Sequence, residues 1–183
     1  MKRHTCLGAL LLSITATGLG AQTLKPGLWE ITSQIQGGSG ETTRALAEAQ
    51  KQLANLPPDQ ARIMRDMMAK QGIHMTSAPG GGTAITTCMT QDMVEHNAVA
   101  AQQGDCTYTR SPRVGNRMPF AFVCTQPPSR GEGQVTFVSP EAYTVQMAAT
   151  TVVNGQPEKL DLQAHGRWLG ANCGAIAPPP APK

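Results

Sequence analysis

Residues 142–153 read Ala-Tyr-Thr-Val-Gln-Met-Ala-Ala-Thr-Thr-Val-Val, and their alternation is the clearest structural signal in the chain. Tyr143, Val145, Met147, Ala149, Thr151 and Val153 fall on one face, with Thr144, Gln146, Ala148 and Thr150 on the other, the period-2 pattern of a half-buried β-strand. Ser139-Pro140-Glu141 turns the chain into this strand and Asn154-Gly155 turns it out, into a last strand at Lys159 to Leu169 whose Leu160, Leu162, Ala164 and Trp168 face inward. Working back, the same reading places strands at Gly133 to Val138, Met118 to Thr125, Asp105 to Arg110 and Thr83 to Cys88. A first strand runs from Leu28 to Gln36, with Trp29, Ile31, Ser33 and Ile35 on its inner face. Short turns between consecutive strands leave no room for parallel crossovers, so the fold class is α+β, mostly β: an antiparallel curved meander or half-barrel.

Between the first two strands the period changes. Leu46, Ala49, Leu53 and Leu56 recur at helical spacing, Pro57-Pro58 stops that helix, and Pro58-Asp59 opens a second carrying Ala61, Met64, Met67 and Met68 on one stripe. The spacing predicts a helical hairpin over about 43–71, inserted after the first strand, with its apolar residues meeting the sheet. Ile73 to Gly82 reads as a loose loop, and a short helix starts at Thr90. The expected organisation is a single β-rich domain over 22–174 and a Pro-rich disordered tail over 175–183.

Residues 1–21 have the form of a secretory signal peptide: Lys2, Arg3 and His4, then an apolar stretch from Leu7, then Gly18, Gly20 and Ala21. Cleavage is expected after Ala21. Without the leader 13 basic residues face 12 acidic ones, too even a balance to recruit nucleic acid. No later stretch approaches the ~18 apolar residues of a membrane span, so a soluble periplasmic or secreted protein is expected.

Four cysteines remain after Cys6 leaves, and an even number in an exported chain favours two disulfides. Cys106 and Cys124 flank a Gly115-Asn116 turn at nearly equal distances, as facing positions on a hairpin do, which leaves Cys88 with Cys173. In the chain-entropy estimate the shorter loop is worth ~3 kcal/mol and the longer ~4 to 5 kcal/mol. No C-x-x-C, H-E-x-x-H or G-x-S-x-G occurs, so zinc, thioredoxin-like and elbow-hydrolase chemistries lack their first requirement.

His74, His96 and His165 stand singly, and Asp92, Glu95 and His96 read as a solvated helix face. Neither catalytic residues nor a cofactor are expected. The leading reading is therefore a non-enzymatic binding or interaction module, whose partner is an envelope protein or a small apolar molecule. The alternatives are a Cu(I)-binding protein using Met64, Met67, Met68, His74 and Met75, since thioethers are soft ligands, and a carrier holding an apolar ligand between the helical hairpin and the concave sheet.

Lys25-Pro26-Gly27-Leu28-Trp29-Glu30-Ile31-Thr32, Pro57-Pro58-Asp59-Gln60, Cys88-Met89-Thr90, the spaced Cys106 and Cys124, and Gly166-Arg167-Trp168-Leu169-Gly170 before Cys173 occur in that order. With these motifs the chain resembles the bacterial exported family known as domain of unknown function 3617. Members usually carry Pro-Glu after the Cys-x-Thr, where Gln91-Asp92 stand here. The resemblance implies export and a single domain, and no established activity, ligand or catalytic residue.

Overall fold

The computed structural model describes residues 23–78, 82–97 and 105–179. The expected signal peptide, and the last four residues of the expected tail, lie outside them. In chain order the elements are β1 (Gly27–Gly37), α1 (Gly40–Ala54), α2 (Pro58–Lys70), β2 (His74–Ala78), β3 (Gly82–Met89), α3 (Gln91–Glu95), β4 (Cys106–Arg110), β5 (Arg117–Cys124), β6 (Ser129–Ser139), β7 (Ala142–Val153) and β8 (Gln156–Gly170). All strands join one antiparallel sheet in the order β2-β3-β1-β8-β7-β6-β5-β4, which does not close into a barrel. The chain from β4 to β8 is a meander, and β1 then pairs along β8 over its whole length.

The core lies against one face of this sheet. Trp29, Val135, Phe137 and Tyr143 are its most buried members, and Val94 of α3 and Leu24 cover them. Large rings fit because glycines stand opposite them. Phe120 pairs with Gly133, Phe122 with Gly131 and Tyr143 with Gly166 across neighbouring strands. A Cβ on Gly166 would lie 2.1 Å from the Tyr143 ring. Rings laid over bare backbone on the facing strand pin the register of two strand pairs, β5–β6 and β7–β8.

Three expectations are corrected. First, residues 74–78 are not loose: they form β2, which pairs with β3 from His74↔Thr86 to Ala78↔Gly82. Five residues with one large apolar side chain give too short an alternation to see; the pairing comes from β3. Second, β6 begins at Ser129, four residues early, because Gly131 lies under the Phe122 ring in the strand pair and is not a turn former. Third, the apolar residues of α1 and α2 do not meet the core. No residue of α2 is buried, Ile63 and Met67 are 56% and 61% exposed, and Leu53 of α1 is 48% exposed. The one extensive helix contact with the sheet, among the described residues, is α2 against the neighbouring edge strand β2.

Disulfides join Cys106 to Cys124, directly opposed on β4 and β5, and Cys88 on β3 to Cys173 beyond β8. From Cys173 the chain turns back: the described part of the expected disordered tail lies over Gly72, where a Cβ would stand 2.5 Å from the Ala177 carbonyl oxygen. No helix among the described residues is long and apolar enough to cross a membrane.

Candidate apolar trough

The core face changes character across the sheet. Its rows follow from strand alternation and register: Ile35, Leu162, Met147, Gly133 and Phe120 form one row across five strands. Phe120 at one end is 4% exposed, Met147 and Leu162 are half-buried, and Ile35 at the other end is 47% exposed. The second row over, Met75, Ile85, Ile31, Gly166 and Tyr143, behaves alike: Tyr143 is 2% exposed and Met75 45%. The half of the face built by β5, β6 and β7 is therefore filled by rings. The half built by β2, β3, β1 and β8 is an apolar trough left partly open to solvent. Ser33 and Thr83, paired on β1 and β3, place hydroxyls in the row between these two on that side.

The trough is closed at one end. Trp29 is fully buried there, its ring 5.4 Å from that of Tyr143 and its indole N–H donating to the Lys25 carbonyl at 2.9 Å. Trp168, packed against the same core, donates to the Pro26 carbonyl, with the Lys25 ammonium 4.7 Å from its ring. Both tryptophans are thus anchors for the entering chain. Burial holds the Tyr143 phenol well above its ordinary range. Tyr108 is raised by partial burial, opposed by the charge of Arg110.

At the other end Glu158, on the trough side of β8, accepts hydrogen bonds from the Ser39 backbone N–H at 3.2 Å, the Ser39 hydroxyl at 2.5 Å and the Thr42 hydroxyl. Ser39 is also the N-cap of α1, its side chain accepting from Thr42 N–H. Glu158 was invisible to sequence reading as a site residue, because its partners are more than a hundred residues away. Alternation alone does place it on the inner face.

The remaining candidates are dispersed. Met64, Met67 and Met68 line one hollow of about 310 Å³ on α2 with Ile63, Gln60 and Gln71. His74 and Met75 are successive residues of β2, so their side chains leave opposite faces and only Met75 shares the trough side. His96 Nδ1 lies 3.2 Å from Asp92 on a solvent-facing turn of α3, and His165 is exposed on the outer face of β8. No group of three His, Cys, Asp or Glu able to hold a metal occurs among the described residues. The outer face carries a shallow hollow over Ala121 and Ala148 rimmed by Glu132, Asp161, Arg130 and Lys159, alternating charges on a hydrated surface.

The chain is similar to an uncharacterised protein of Pseudomonas putida from the lpd-3 5′ region, 36% identical over 146 residues that cover 79% of this chain and 98% of that protein. No solved structure matches it. The family described as "Protein of unknown function (DUF3617)" matches residues 24–173, which hold every strand, both disulfides and the whole trough, and the chain belongs to that family.

Proposed function

We propose that the protein is a non-enzymatic binding module of the bacterial envelope, periplasmic or secreted after loss of residues 1–21, whose ligand is a small apolar molecule seated in the trough. The observation that carries this reading is the graded exposure along one apolar row, from Phe120 at 4% to Ile35 at 47%. Soluble proteins rarely leave a contiguous apolar surface bare without using it. Two disulfides, with the leader-like form of residues 1–21, support an oxidising compartment. The absence of catalytic motifs from the sequence supports binding over turnover.

N-phenyl-1-naphthylamine, an uncharged dye that brightens in apolar surroundings, tests the reading when titrated into the mature, oxidised protein. Saturable binding is expected, abolished by Leu162→Asp inside the trough and retained by Gln163→Asp on the outer face. Equal effects of the two substitutions, or no saturable binding, would overturn it.

The Cu(I) alternative draws its support from Met64, Met67 and Met68 sharing one hollow. Thioethers alone make a weak, soft site. Anaerobic Cu(I) titration against a chelator is then expected to show binding that Met64→Leu with Met67→Leu removes; a wild-type protein that never competes with a weak chelator excludes copper.

A further inference from the structure

We propose that residues 38–72, which carry α1 and α2, are a lid that closes over the open half of the trough when the apolar ligand is seated. The proposal rests on the trough reading and adds how access to it is governed.

The attachments of this segment bracket the opening. It leaves β1 at Gly37, beside the open end, and returns at His74 on the far side of β3, level with Glu30. Along the strands those corners are about 23 Å apart and across them about 10 Å, a diagonal of roughly 25 Å. The helices, of 15 and 13 residues, are about 22 and 20 Å long, so each is long enough to lie over most of that diagonal.

Both ends are held, and between them α2 packs on the edge strand β2 while part of its apolar stripe stays exposed. At the first end Glu158 fixes Ser39 and Thr42 on the trough side of the sheet, and Gly38 lies so close that a Cβ would meet the Leu160 side chain at 3.0 Å. At the second, Gly72 has φ +71° and is covered by Ala177 to Pro179, a strap tied to the sheet through Cys88–Cys173. Between these points Ile63 and Met67 point into solvent. Isolated helices of this length are marginal in water and take their stability from an apolar face they pack on. Within reach of a segment pinned at those two corners, the open apolar surface is the trough. A swing of α2 about Gly72 carries its exposed Ile63 and Met67 toward the trough while Ser39 stays on Glu158. A ligand lying between the two surfaces contacts both only in the closed state, and so shifts the population toward closure.

Cross-linking with a short bis-maleimide tests this, because the four native cysteines are bridged and do not react. Met67→Cys with Leu162→Cys reports the apolar side of α2 against the trough; Arg65→Cys with Leu162→Cys is the control from the polar side. Saturating N-phenyl-1-naphthylamine is expected to raise the Met67 yield about fivefold, the low end of ordinary ligand coupling, and to leave the control unchanged. Dye binding without that rise overturns the lid and leaves the trough reading standing. A Met67 cross-link above control in a protein that binds no dye overturns the trough reading and the ligand-driven closure with it. Hydrogen exchange on the unsubstituted protein is the second measurement: amides of residues 40–70 gain protection with dye if the lid closes, and unchanged exchange while the dye binds overturns it.

Discussion

Gly166 matters for the atoms it lacks. Tyr143 lies across it from the next strand, and its ring occupies the space a side chain would need. Gly166→Ala is expected to cost about 1–3 kcal/mol of stability by forcing that ring out of place. Gly170→Ala, on the same strand with nothing within 4 Å, serves as a near-neutral control; urea unfolding of the pair makes the comparison. The buried phenol makes a second prediction. Its folded pKa lies above the ordinary 10.0, so its share of stability is fully present below that value. That share is lost as pH rises through and beyond it, because the unfolded chain ionises first. Tyr143→Phe is therefore expected to flatten the alkaline fall in melting temperature above about pH 10. Tyr143 was legible on one face of an alternating strand from the sequence alone. The glycines that face Phe120, Phe122 and Tyr143 were not legible as ring partners, since glycine in a single sequence signals a turn until the facing strand is known.

At the scale of elements, the strands with long alternation, β7 and β8 above all, could be read directly from the chain, and so could the two helices from their 3.6-residue period. What escaped was the relation between elements. A helical stripe states that an apolar face exists and not what covers it, so the expected packing of α1 and α2 on the core failed while the helices themselves did not. The two bridges belong to this scale as well. Cys106→Ser with Cys124→Ser frees a loop of 18 residues and is expected to cost ~3 kcal/mol. Cys88→Ser with Cys173→Ser frees one of 85 and is expected to cost ~4 to 5 kcal/mol. Chemical denaturation of the two double variants ranks them, and an inverted order would point to strain or residual structure outweighing chain entropy. The second variant has a further expected effect, a faster exchange of amides around Gly72, because the strap loses its mooring.

The whole molecule is lopsided. One half of its sheet is filled with aromatic rings and capped by α3, and the other holds aliphatic residues under partial exposure beside helices that bury little. A chain built only for stability would gain by packing those helices down, since each aliphatic side chain buried is worth about 1.5–3 kcal/mol. Mass spectrometry of the exported protein, with and without reduction, is expected to show a product starting at Gln22 with no free thiol; an uncut or reduced product would remove the envelope from the proposal. The way the chain ends also bears on how such experiments are built. Pro179 rests against Gly72, and Lys183 is four residues on, at most about 14 Å of extended backbone. An affinity handle fused to the carboxyl terminus would dangle beside Gly72, where the helical segment returns to the sheet. Purification by a removable carboxyl-terminal handle, trimmed before any titration, avoids mistaking a jammed pivot for a protein that binds nothing.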